Sequence, residues 1–259
     1  MPSLKGLSAA VVTIFLAISS AFAAPILWID DSAGRIGTVD VATGVATLIG
    51  SSGVGLTDIA FDPSGNLWGI SFTNLYRINK TTGVATNVGS LGISDANALV
   101  FAANGTLYTA GFGSANLYTV NTSTGAATTL GNDGFASAGD LAFNGGNLYL
   151  SSSNDQLIRI NLANLALSTA VGPLGFSSVF GLATANNSVL YGVAGTQVFS
   201  VNTSTGAGTA VSNFSGGPLS AANGTAFFTE SGAAVPEPST ILLLAVPLVG
   251  MVASRRKRA

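Results

Sequence analysis

Short stretches of apolar residues alternate with turn-forming residues through the middle of the chain. In one unit, Leu56–Phe61 is predicted as a first strand, and the turn-forming sequence Asp-Pro-Ser-Gly-Asn follows at 62–66. Leu67–Ile70 and Leu75–Ile78 are predicted as second and third strands, and 84–91 as the fourth. Strands of this length, bounded by Gly, Pro, Asn, Asp and Ser, are typical of antiparallel sheets. The pattern therefore predicts an all-β body built from four-stranded units.

A common turn is predicted between the third and fourth strands of each unit. It begins with an Asp or Asn marker, and in four of the five copies a Thr-Gly pair follows three residues later. The short marker side chain is expected to accept hydrogen bonds from N–H groups of the turn, and glycine supplies a positive φ. In the fifth copy Asn164 replaces the Thr and is predicted to take the left-handed conformation. The markers are spaced by 39, 42, 40 and 41 residues and are Asp40, Asn79, Asn121, Asn161 and Asn202.

A period of about 40 residues is typical of the four-stranded blades of a β-propeller. Five outer strands predict five blades, with Leu219–Glu230 returning to pair with Ile26–Asp30 and complete the first blade. Both of these segments look like second strands, so a six-bladed ring is an alternative. The sequence Phe-Asp-Pro-Ser-Gly-Asn-Leu-Trp at 61–68 resembles the repeats of NHL and gluconolactonase-like propellers. That resemblance implies the same fold.

Large aromatic residues recur at one depth of the predicted second strands. They would form either a wall on which a ligand stacks or the packing layer between blades. Packing requires flat side chains at this depth in every copy, and burying each ring stabilises the fold by roughly 2 kcal/mol. We therefore predict that they belong to the core. The residues are Trp28, Trp68, Tyr108, Tyr149, Tyr191 and Phe227.

The first 23 residues have the three parts of a secretory signal peptide. Lys5 precedes the apolar run Ala9–Ile18, and small residues follow it. Cleavage is predicted after Ala23, with Ala21 as the second small residue that signal peptidase reads. An uncleaved anchor is the alternative, but ~10 apolar residues fall short of the ~20 that span a membrane. We therefore predict a cleaved signal helix at 1–23 and a propeller body at 24–232.

The last residues combine a proline-rich motif, an apolar segment and a basic end. Pro236, Glu237 and Pro238 precede a predicted transmembrane helix at 240–254, within a tail that covers 233–259. A basic cluster after an apolar segment is typical of a cytoplasmic stop. The stop residues are Arg255, Arg256, Lys257 and Arg258.

This tail resembles the PEP-CTERM sorting signal of Gram-negative bacteria that make extracellular polysaccharide. The resemblance implies that exosortase, a membrane-embedded cysteine transpeptidase, recognises Pro-Glu-Pro, removes the tail and passes the protein outward. It covers only the segment from Ala234 onward. A plain C-terminal anchor on a proline-rich stalk is the alternative, and it would also place the body outside the inner membrane.

The composition excludes several classes of chemistry. The chain has no Cys and no His, so it has no disulfides, no Cys/His zinc site and no nucleophile activated by histidine. Between the two signals, the nine Asp residues and Glu230 outnumber four basic residues, which gives a net charge of −6. A chain with this charge is not expected to bind nucleic acid. The four basic residues are Arg35, Arg77, Lys80 and Arg159.

Three aspartates are candidates for a metal site at the mouth of the central channel. Asp58 and Asp140 occupy matching positions in two blades, and Asp95 lies in the loop that enters the blade between them. Carboxylates that converge on an axis are typical Ca²⁺ ligands, and the resemblance to propeller lactonases implies such a metal. The alternative, which we favour, is that each aspartate caps a loop and that the protein has no cofactor. Three further aspartates are predicted to be turn residues, namely Asp30, Asp31 and Asp62.

The sorting tail and the missing catalytic residue types favour a non-enzymatic protein of the cell surface or extracellular matrix. We expect its propeller to display a rigid, acidic, Thr- and Asn-rich face to exopolysaccharide or to surface proteins of a biofilm. The inner membrane, signal peptidase and exosortase are its expected transient partners. The alternative is an extracytoplasmic enzyme, similar to lactonases or lyases, that depends on Ca²⁺.

Overall fold

The alternation of apolar and turn-forming residues produces twenty short strands. The computed structural model describes residues 24–186 and 188–231, and these residues form five separate sheets of four antiparallel strands each. The five sheets surround a common axis as the blades of a propeller, because their innermost strands contact one another in a closed ring. The five-bladed prediction is confirmed and the six-bladed alternative is wrong. The predicted signal helix and transmembrane helix lie outside the described residues.

We number the blades I to V in the order in which their outer strands occur along the chain. Blade I contains β1 (Ile26–Asp31), β2 (Arg35–Asp40), β3 (Ala46–Ser51) and β20 (Ala222–Phe227). Blade II contains β4 (Asp58–Phe61), β5 (Leu67–Ile70), β6 (Asn74–Ile78) and β7 (Ala85–Ser90). Blade III contains β8 (Ala96–Phe101), β9 (Leu107–Gly111), β10 (Asn116–Val120) and β11 (Ala127–Asn132).

The remaining blades follow the same plan. Blade IV contains β12 (Ser137–Asn144), β13 (Asn147–Ser152), β14 (Gln156–Ile160) and β15 (Thr169–Pro173). Blade V contains β16 (Val179–Thr184), β17 (Leu190–Ala194), β18 (Gln197–Val201) and β19 (Gly208–Asn213). Within the described part of the chain, the only helical element is one 3₁₀ turn at Leu165–Leu167. No described helix is long and apolar enough to cross a membrane.

Blade I closes the ring, because in this blade the first described strand pairs with the last. β20 supplies the innermost strand and pairs antiparallel with β1, with Leu27 opposite Phe227. The loop before β20 is fixed by Asp31, which accepts a hydrogen bond from the Ser220 backbone N–H at 2.7 Å and forms a 2.7 Å ion pair with Arg35. The predicted pairing of the two terminal segments is therefore confirmed. The assignment of both as second strands is wrong for Leu219–Glu230, which contains an inner strand.

The marker side chain of the repeated turn makes the predicted hydrogen bonds in all five blades. Each marker side chain accepts hydrogen bonds from the N–H groups two and three residues later, at 2.9 and 3.1 Å for Asn79. Gly83 has a φ of +78°, in agreement with the predicted left-handed glycine. The prediction for Asn164 is wrong, because its φ is −155° and its backbone is extended. The turn of blade IV is longer and continues into the 3₁₀ turn, so no residue there needs the left-handed conformation.

The Thr-Gly turns also hold neighbouring blades together. The outer strand of each of three blades carries a glycine whose Cα lies against the Thr-Gly turn of the next blade. For Gly89 of blade II, an added Cβ would lie 2.9 Å from the carbonyl carbon of Thr124 in blade III. The same contact joins Gly50 to Thr82 and Gly172 to Thr205. In blade IV the 3₁₀ turn takes the place of this turn, and Leu165 contacts Gly131 of blade III instead.

The aromatic residues of the second strands pack between blades, as predicted. Each of four rings contacts an inner-strand phenylalanine of the following blade, with ring centroids between 5.4 and 6.0 Å apart. The pairs are Trp28 with Phe61, Trp68 with Phe101, Tyr108 with Phe143, and Tyr191 with Phe227. Phe227 therefore corresponds to Phe61 and belongs to an inner strand, not to a second strand as the sequence suggested.

Candidate functional site at the propeller axis

The five inner strands bring equivalent residues to the same depth of the axis. Near the start of each second strand, one leucine lies opposite a residue of the inner strand, as Leu67 does opposite Phe61 in blade II. The residues four positions before these partners form one layer around the axis, with one member from each blade. All five members of this layer line one cavity of about 260 Å³. The cavity therefore lies at the end of the axis where the inner strands start. The five residues are Thr57, Asn97, Gly139, Phe180 and Asn223.

We call this cavity the axial cup and define it by those five residues together with Gly55, Leu56, Phe72 and Ala138. Its rim is aromatic, because Phe180 is 38% exposed and Phe72 is 46% exposed. Phe112, 52% exposed, packs edge-on against Phe72 with ring centroids 5.4 Å apart. Exposed aromatic side chains beside a cavity indicate a binding surface more than a packing layer.

The polar side chains of the cup are held in fixed positions. The Asn97 side-chain amide donates from Nδ2 to the backbone carbonyl of Ala138 at 2.9 Å. Asn223 Nδ2 donates to the carbonyl of Leu56 at 3.2 Å, and Thr57 Oγ1 donates to that of Ala96 at 3.0 Å. These bonds connect neighbouring inner strands and orient the side chains before any ligand arrives.

The next layer below the cup is closed and carries two of the predicted candidate residues. Asp58 and Asp140 are fully buried. Oδ2 of Asp58 accepts a hydrogen bond from the Leu99 backbone N–H of blade III. Oδ2 of Asp140 accepts one from the Leu182 N–H of blade V at 2.6 Å and another from Thr225 Oγ1 of blade I at 3.1 Å. The two carboxyl groups thus connect the inner strands of all five blades.

The carboxyl groups of Asp58 and Asp140 are also neighbours at the axis, and each affects the pKa of the other. Burial raises the pKa of both carboxyl groups well above their ordinary values, and the negative charge of Asp140 further raises the pKa of Asp58. Two adjacent buried carboxylates repel each other, so protonation of one of them is favoured. The pair therefore keeps a proton over a range of pH in which exposed aspartates are ionised.

A third aspartate belongs to the same cluster. Asp30 is buried, and neither of its carboxylate oxygens has a hydrogen bond of normal geometry. Burial raises its pKa well above the ordinary value, and the charge of Asp31 adds to this effect. Gly224 separates Asp30 from Asp58, since a Cβ on Gly224 would lie 2.7 Å from Asp30 Oδ1 and closer still to Asp58. The sequence-based prediction of Asp30 as a turn residue is therefore wrong.

The other two predicted turn aspartates have the expected role. Asp31 accepts hydrogen bonds from the backbone N–H groups of Ala33 and Arg35, both at 2.9 Å. Asp62 accepts from Ser64 N–H at 2.9 Å and from Asn66 N–H at 2.8 Å. We refer to the buried set Asp30, Asp58 and Asp140 as the acid hub.

The structure places Asp95 away from the acid hub. Its side chain lies against Gly111 and accepts a hydrogen bond from the Gly113 backbone N–H at 3.2 Å, within its own blade. Among the described residues, no group of three or more acidic side chains is arranged to hold a metal ion. The oxygens of Asp58 and Asp140 already accept protein hydrogen bonds, so these residues fit a Ca²⁺ site poorly. The calcium site stays a prediction.

A fourth buried carboxyl group lies beyond the far end of the inner strands. Glu230 follows β20, and its Oε1 is buried without a hydrogen-bond partner. Burial raises its pKa well above the ordinary value, and the charge of Asp140 acts in the same direction. The chain thus leaves the propeller at the end of the axis opposite the axial cup.

Several functional residues were not identified from the sequence. Asn97, Phe180 and Asn223 lie in the repeats but were not singled out, because their importance depends on which inner-strand layer faces the axis. The signal that identifies them is a break in the repeat. Two residues further along the inner strands, four of the five blades carry a leucine or isoleucine; the five residues are Ile59, Leu99, Leu141, Leu182 and Thr225. In the cup layer, by contrast, only the two asparagines are of the same type.

The predicted processing residues lie outside the described part of the chain. These are Ala21 and Ala23 at the signal cleavage site, Pro236, Glu237 and Pro238 in the sorting motif, and the basic stop at 255–258. A profile described as the PEP-CTERM protein-sorting motif matches residues 234–258. The sorting tail is therefore confirmed. The chain is an exported protein that exosortase processes, and its route to the cell surface includes a membrane-anchored intermediate.

Solved structures resemble this chain, two of them with TM-scores above 0.5. A symmetrical protein whose de novo evolutionary emergence is shaped by folding constraints is 19% identical, with a TM-score of 0.51 over 73% of this chain and 93% of that chain. A chain of a nidogen/laminin complex is 14% identical, with a TM-score of 0.53 over 78% and 97%. Virginiamycin B lyase from Staphylococcus aureus is 16% identical, with a TM-score of 0.44 over 74% and 71%. At these identities the likeness concerns the fold alone.

No curated protein matches this chain. A second profile, described as a repeat of unknown function, covers residues 59–229 and therefore most of the propeller. This range begins in the first strand of blade II and ends just after β20, so it follows the repeats that build the blades. The chain belongs to this repeat family, DUF6923.

Proposed function

We propose that this protein is a non-enzymatic binding propeller of the cell surface or extracellular matrix, which associates with the exopolysaccharide of a biofilm. The sorting tail is the observation that carries this proposal, because it places the body outside the cell. The propeller then supplies a rigid scaffold whose axial cup is open to solvent.

The orientation of the chain supports display of the cup. β20 runs from the cup end of the axis to the opposite end, and β1 runs antiparallel to it. Pro25, at the start of the described chain, and Glu230, near its end, therefore both lie at the end opposite the cup. While a tail after Ser231 holds the protein at the membrane, the cup is expected to face outward.

The chemistry of the axis supports binding more than catalysis. The carboxyl groups of Asp58 and Asp140, in the layer below the cup, are fully buried. Their oxygens accept hydrogen bonds from backbone groups of neighbouring blades. A general acid or base must reach the proton that it transfers, and these two groups are occupied in holding the ring together.

The second candidate function is a Ca²⁺-dependent enzyme similar to lactonases or lyases. The meeting of Asp58 and Asp140 at the axis is the observation in its favour. Asp95, the third predicted ligand, lies against Gly111 in its own blade and does not join them. A Ca²⁺-dependent shift in thermal unfolding would favour this candidate.

Co-sedimentation with matrix polysaccharide tests the proposed function. Exopolysaccharide is isolated from the producing bacterium and mixed with the full chain in lipid nanodiscs. We expect saturable co-sedimentation that soluble polysaccharide competes away. Empty nanodiscs are the matched control. A protein that stays in the supernatant at every polysaccharide concentration would contradict the association with exopolysaccharide.

A further inference from the structure

The repeat is broken at the layer that faces the axial cup. In the layer below the acid hub four of the five blades present a leucine or isoleucine, which is what packing around an axis requires. In the cup layer they present one threonine, two asparagines, one glycine and one phenylalanine. The acid-hub layer varies as well, but its residues are buried and pair with one another, whereas the residues of the cup layer line an open cavity. The variation is expected where five side chains together recognise something asymmetric.

Asn97 offers an unused hydrogen-bond acceptor in the cup. The residue is 6% exposed, and its Oδ1 is buried without a partner. The bond from Nδ2 to the Ala138 carbonyl fixes the amide, so the oxygen cannot exchange places with the nitrogen. A buried acceptor without a donor costs about 1–3 kcal/mol. A ligand hydroxyl or N–H group would remove this cost once the Asn97 side chain shifts to bring Oδ1 to the surface of the cup.

Phe180 is placed over the cup by a close contact. Its backbone lies against Gly139 of blade IV, where an added Cβ would come within 2.7 Å of the Phe180 Cα. Only a glycine at position 139 allows this approach. The ring of Phe180 and that of Phe72 then stand at the rim, partly exposed. The flat face of a phenylalanine ring packs well against the C–H groups of a ligand ring, while the polar groups of that ligand point elsewhere.

The charges around the cup select against ionic ligands. None of the nine residues that define the cup is basic, so nothing there would pair with an anion. The acid hub lies directly beneath and adds negative charge as its members ionise. An anionic ligand is therefore repelled, whereas a neutral ligand is unaffected.

The dimensions of the cup limit the ligand to one small ring. A volume of about 260 Å³ corresponds to about nine water molecules at ~30 Å³ each. The layer below is buried in every blade, so a ligand enters from one side only and cannot thread through the propeller. A polymer would have to present a terminal residue or a side branch.

From these observations we infer that the axial cup binds a single neutral pyranose ring, at the end or on a side branch of a polysaccharide. The sugar stacks its C–H face on Phe180 or Phe72 and donates a hydroxyl hydrogen to Asn97 Oδ1. This inference rests on the proposed function, since it names the part of the polysaccharide that the propeller recognises.

Calorimetric titration of the full chain in lipid nanodiscs tests the inference. The probes are neutral oligosaccharides that end in glucose, galactose or mannose, and matched oligosaccharides that end in a uronic acid. We expect at least one neutral probe to bind at a one-to-one ratio and its uronic acid counterpart to bind at least about tenfold more weakly. Tighter binding of the acid, or no neutral probe bound at millimolar concentration, would overturn the inference.

Variants of the cup locate the site. Phe180→Ala and Asn97→Leu should each weaken binding about tenfold or more. Phe72→Ser is a further variant on an exposed turn and keeps the test valid if Asn97→Leu fails to fold. Leu130→Ala, an exposed residue on the outer strand of blade III, is the matched control and should bind as the parent does.

The outcomes separate this inference from the proposed function. Saturable sugar binding that none of the cup variants weakens would overturn the cup as the site, while co-sedimentation with matrix polysaccharide could still succeed. Failure of co-sedimentation together with tight, cup-dependent binding of a free neutral sugar would instead contradict the association with exopolysaccharide and leave the cup assignment intact.

Discussion

Asp58 of blade II and Asp140 of blade IV are buried neighbours at the propeller axis, and neither carboxyl group is accessible to solvent. Their Oδ2 atoms accept hydrogen bonds from backbone N–H groups of blades III and V. The ring is therefore held at its centre by a protonated carboxyl pair. Its stability should depend on whether that proton is retained.

Stability is predicted to fall as the pH rises above the acidic range. The folded-state pKa values of Asp30, Asp58, Asp140 and Glu230 are all raised, so the folded protein binds more protons than the unfolded chain above the ordinary carboxyl pKa of about 4. Their contribution is complete below that value and is lost as the pH rises through the raised values. We expect a higher melting temperature at about pH 5 than at about pH 8. Each kcal/mol lost from the free energy of unfolding should lower the melting temperature by about 2–4 °C.

The variant Asp58→Asn should flatten this pH dependence, because it removes one titrating member of the acid hub. Asp40→Asn is the matched control, since Asp40 is a turn marker and asparagine occupies the same position in the other four blades. Differential scanning calorimetry across the pH range measures both. An unchanged slope for Asp58→Asn would show that the hub does not govern the pH dependence.

The glycines of the outer strands are predicted to be essential to packing between blades. In Gly89→Ala the new methyl group would overlap the Thr124 peptide of blade III, so one of the two strands must move. We expect a destabilisation of about 1–3 kcal/mol, measured by denaturant unfolding. Gly55→Ala is the control, because nothing lies within 4 Å of its added methyl group. Equal effects of the two substitutions would contradict the proposed role of the contact.

Ring closure is predicted to require β20. A chain that ends after Pro218 lacks this strand, so β1 becomes an exposed edge and Asp140 loses its bond from Thr225. Exposed strand edges promote aggregation. A chain that ends after Ser231 removes only the tail and is the matched control. Light scattering should find aggregates of the first protein and monomers of the second. A shorter chain that stays monomeric and unfolds cooperatively would contradict closure by β20.

The strands and the blade count follow from the sequence because they depend on local signals. Turn residues recur at a fixed spacing, and the Asp or Asn marker with its following glycine determines each turn by itself. Asn164 is the exception, because the longer turn of blade IV formed a 3₁₀ segment that the comparison with its neighbours did not suggest. The tendency of asparagine to adopt the left-handed conformation therefore did not determine the backbone conformation of Asn164.

The acid hub depends on long-range contacts and was only partly predictable. The matching positions of Asp58 and Asp140 indicated that they converge, but not that both carboxyl groups are fully buried. Asp30 was predicted to be a turn residue, whereas β1 extends through Asp31. Its position beside Asp58 depends on Gly224 of β20, which lies far along the chain. Such a contact is visible only after the ring closes.

Thermal unfolding with and without calcium should give the same melting temperature. A metal that binds only the folded state stabilises it by mass action, but Asp58 and Asp140 already use their oxygens within the protein, and Asp95 lies elsewhere. We therefore expect no shift between millimolar CaCl₂ and EDTA. MgCl₂ at the same concentration controls for ionic strength. A clear rise with calcium alone would restore the metal site and favour the enzymatic alternative.

The last prediction concerns Pro236, Glu237 and Pro238, which lie within the segment matched by the sorting profile. If exosortase recognises this motif, the released protein should lack everything that follows it. The apolar segment before the basic stop is short and contains Pro247, so it is a weak permanent anchor. The basic residues at 255–258 should hold it in the membrane long enough to be cut.

Replacing Pro236 and Pro238 by alanine should trap a full-length form in the inner membrane. The propeller should remain folded, because the motif follows β20 and lies outside every blade. Alanine at Pro63, in a turn of blade II, is a control that changes a proline without touching the motif. Mass spectrometry of the protein from the cell surface and medium shows where the released chain ends. An intact terminus through Ala259 on released wild-type protein would contradict processing at this motif, and the tail would then act as a simple anchor.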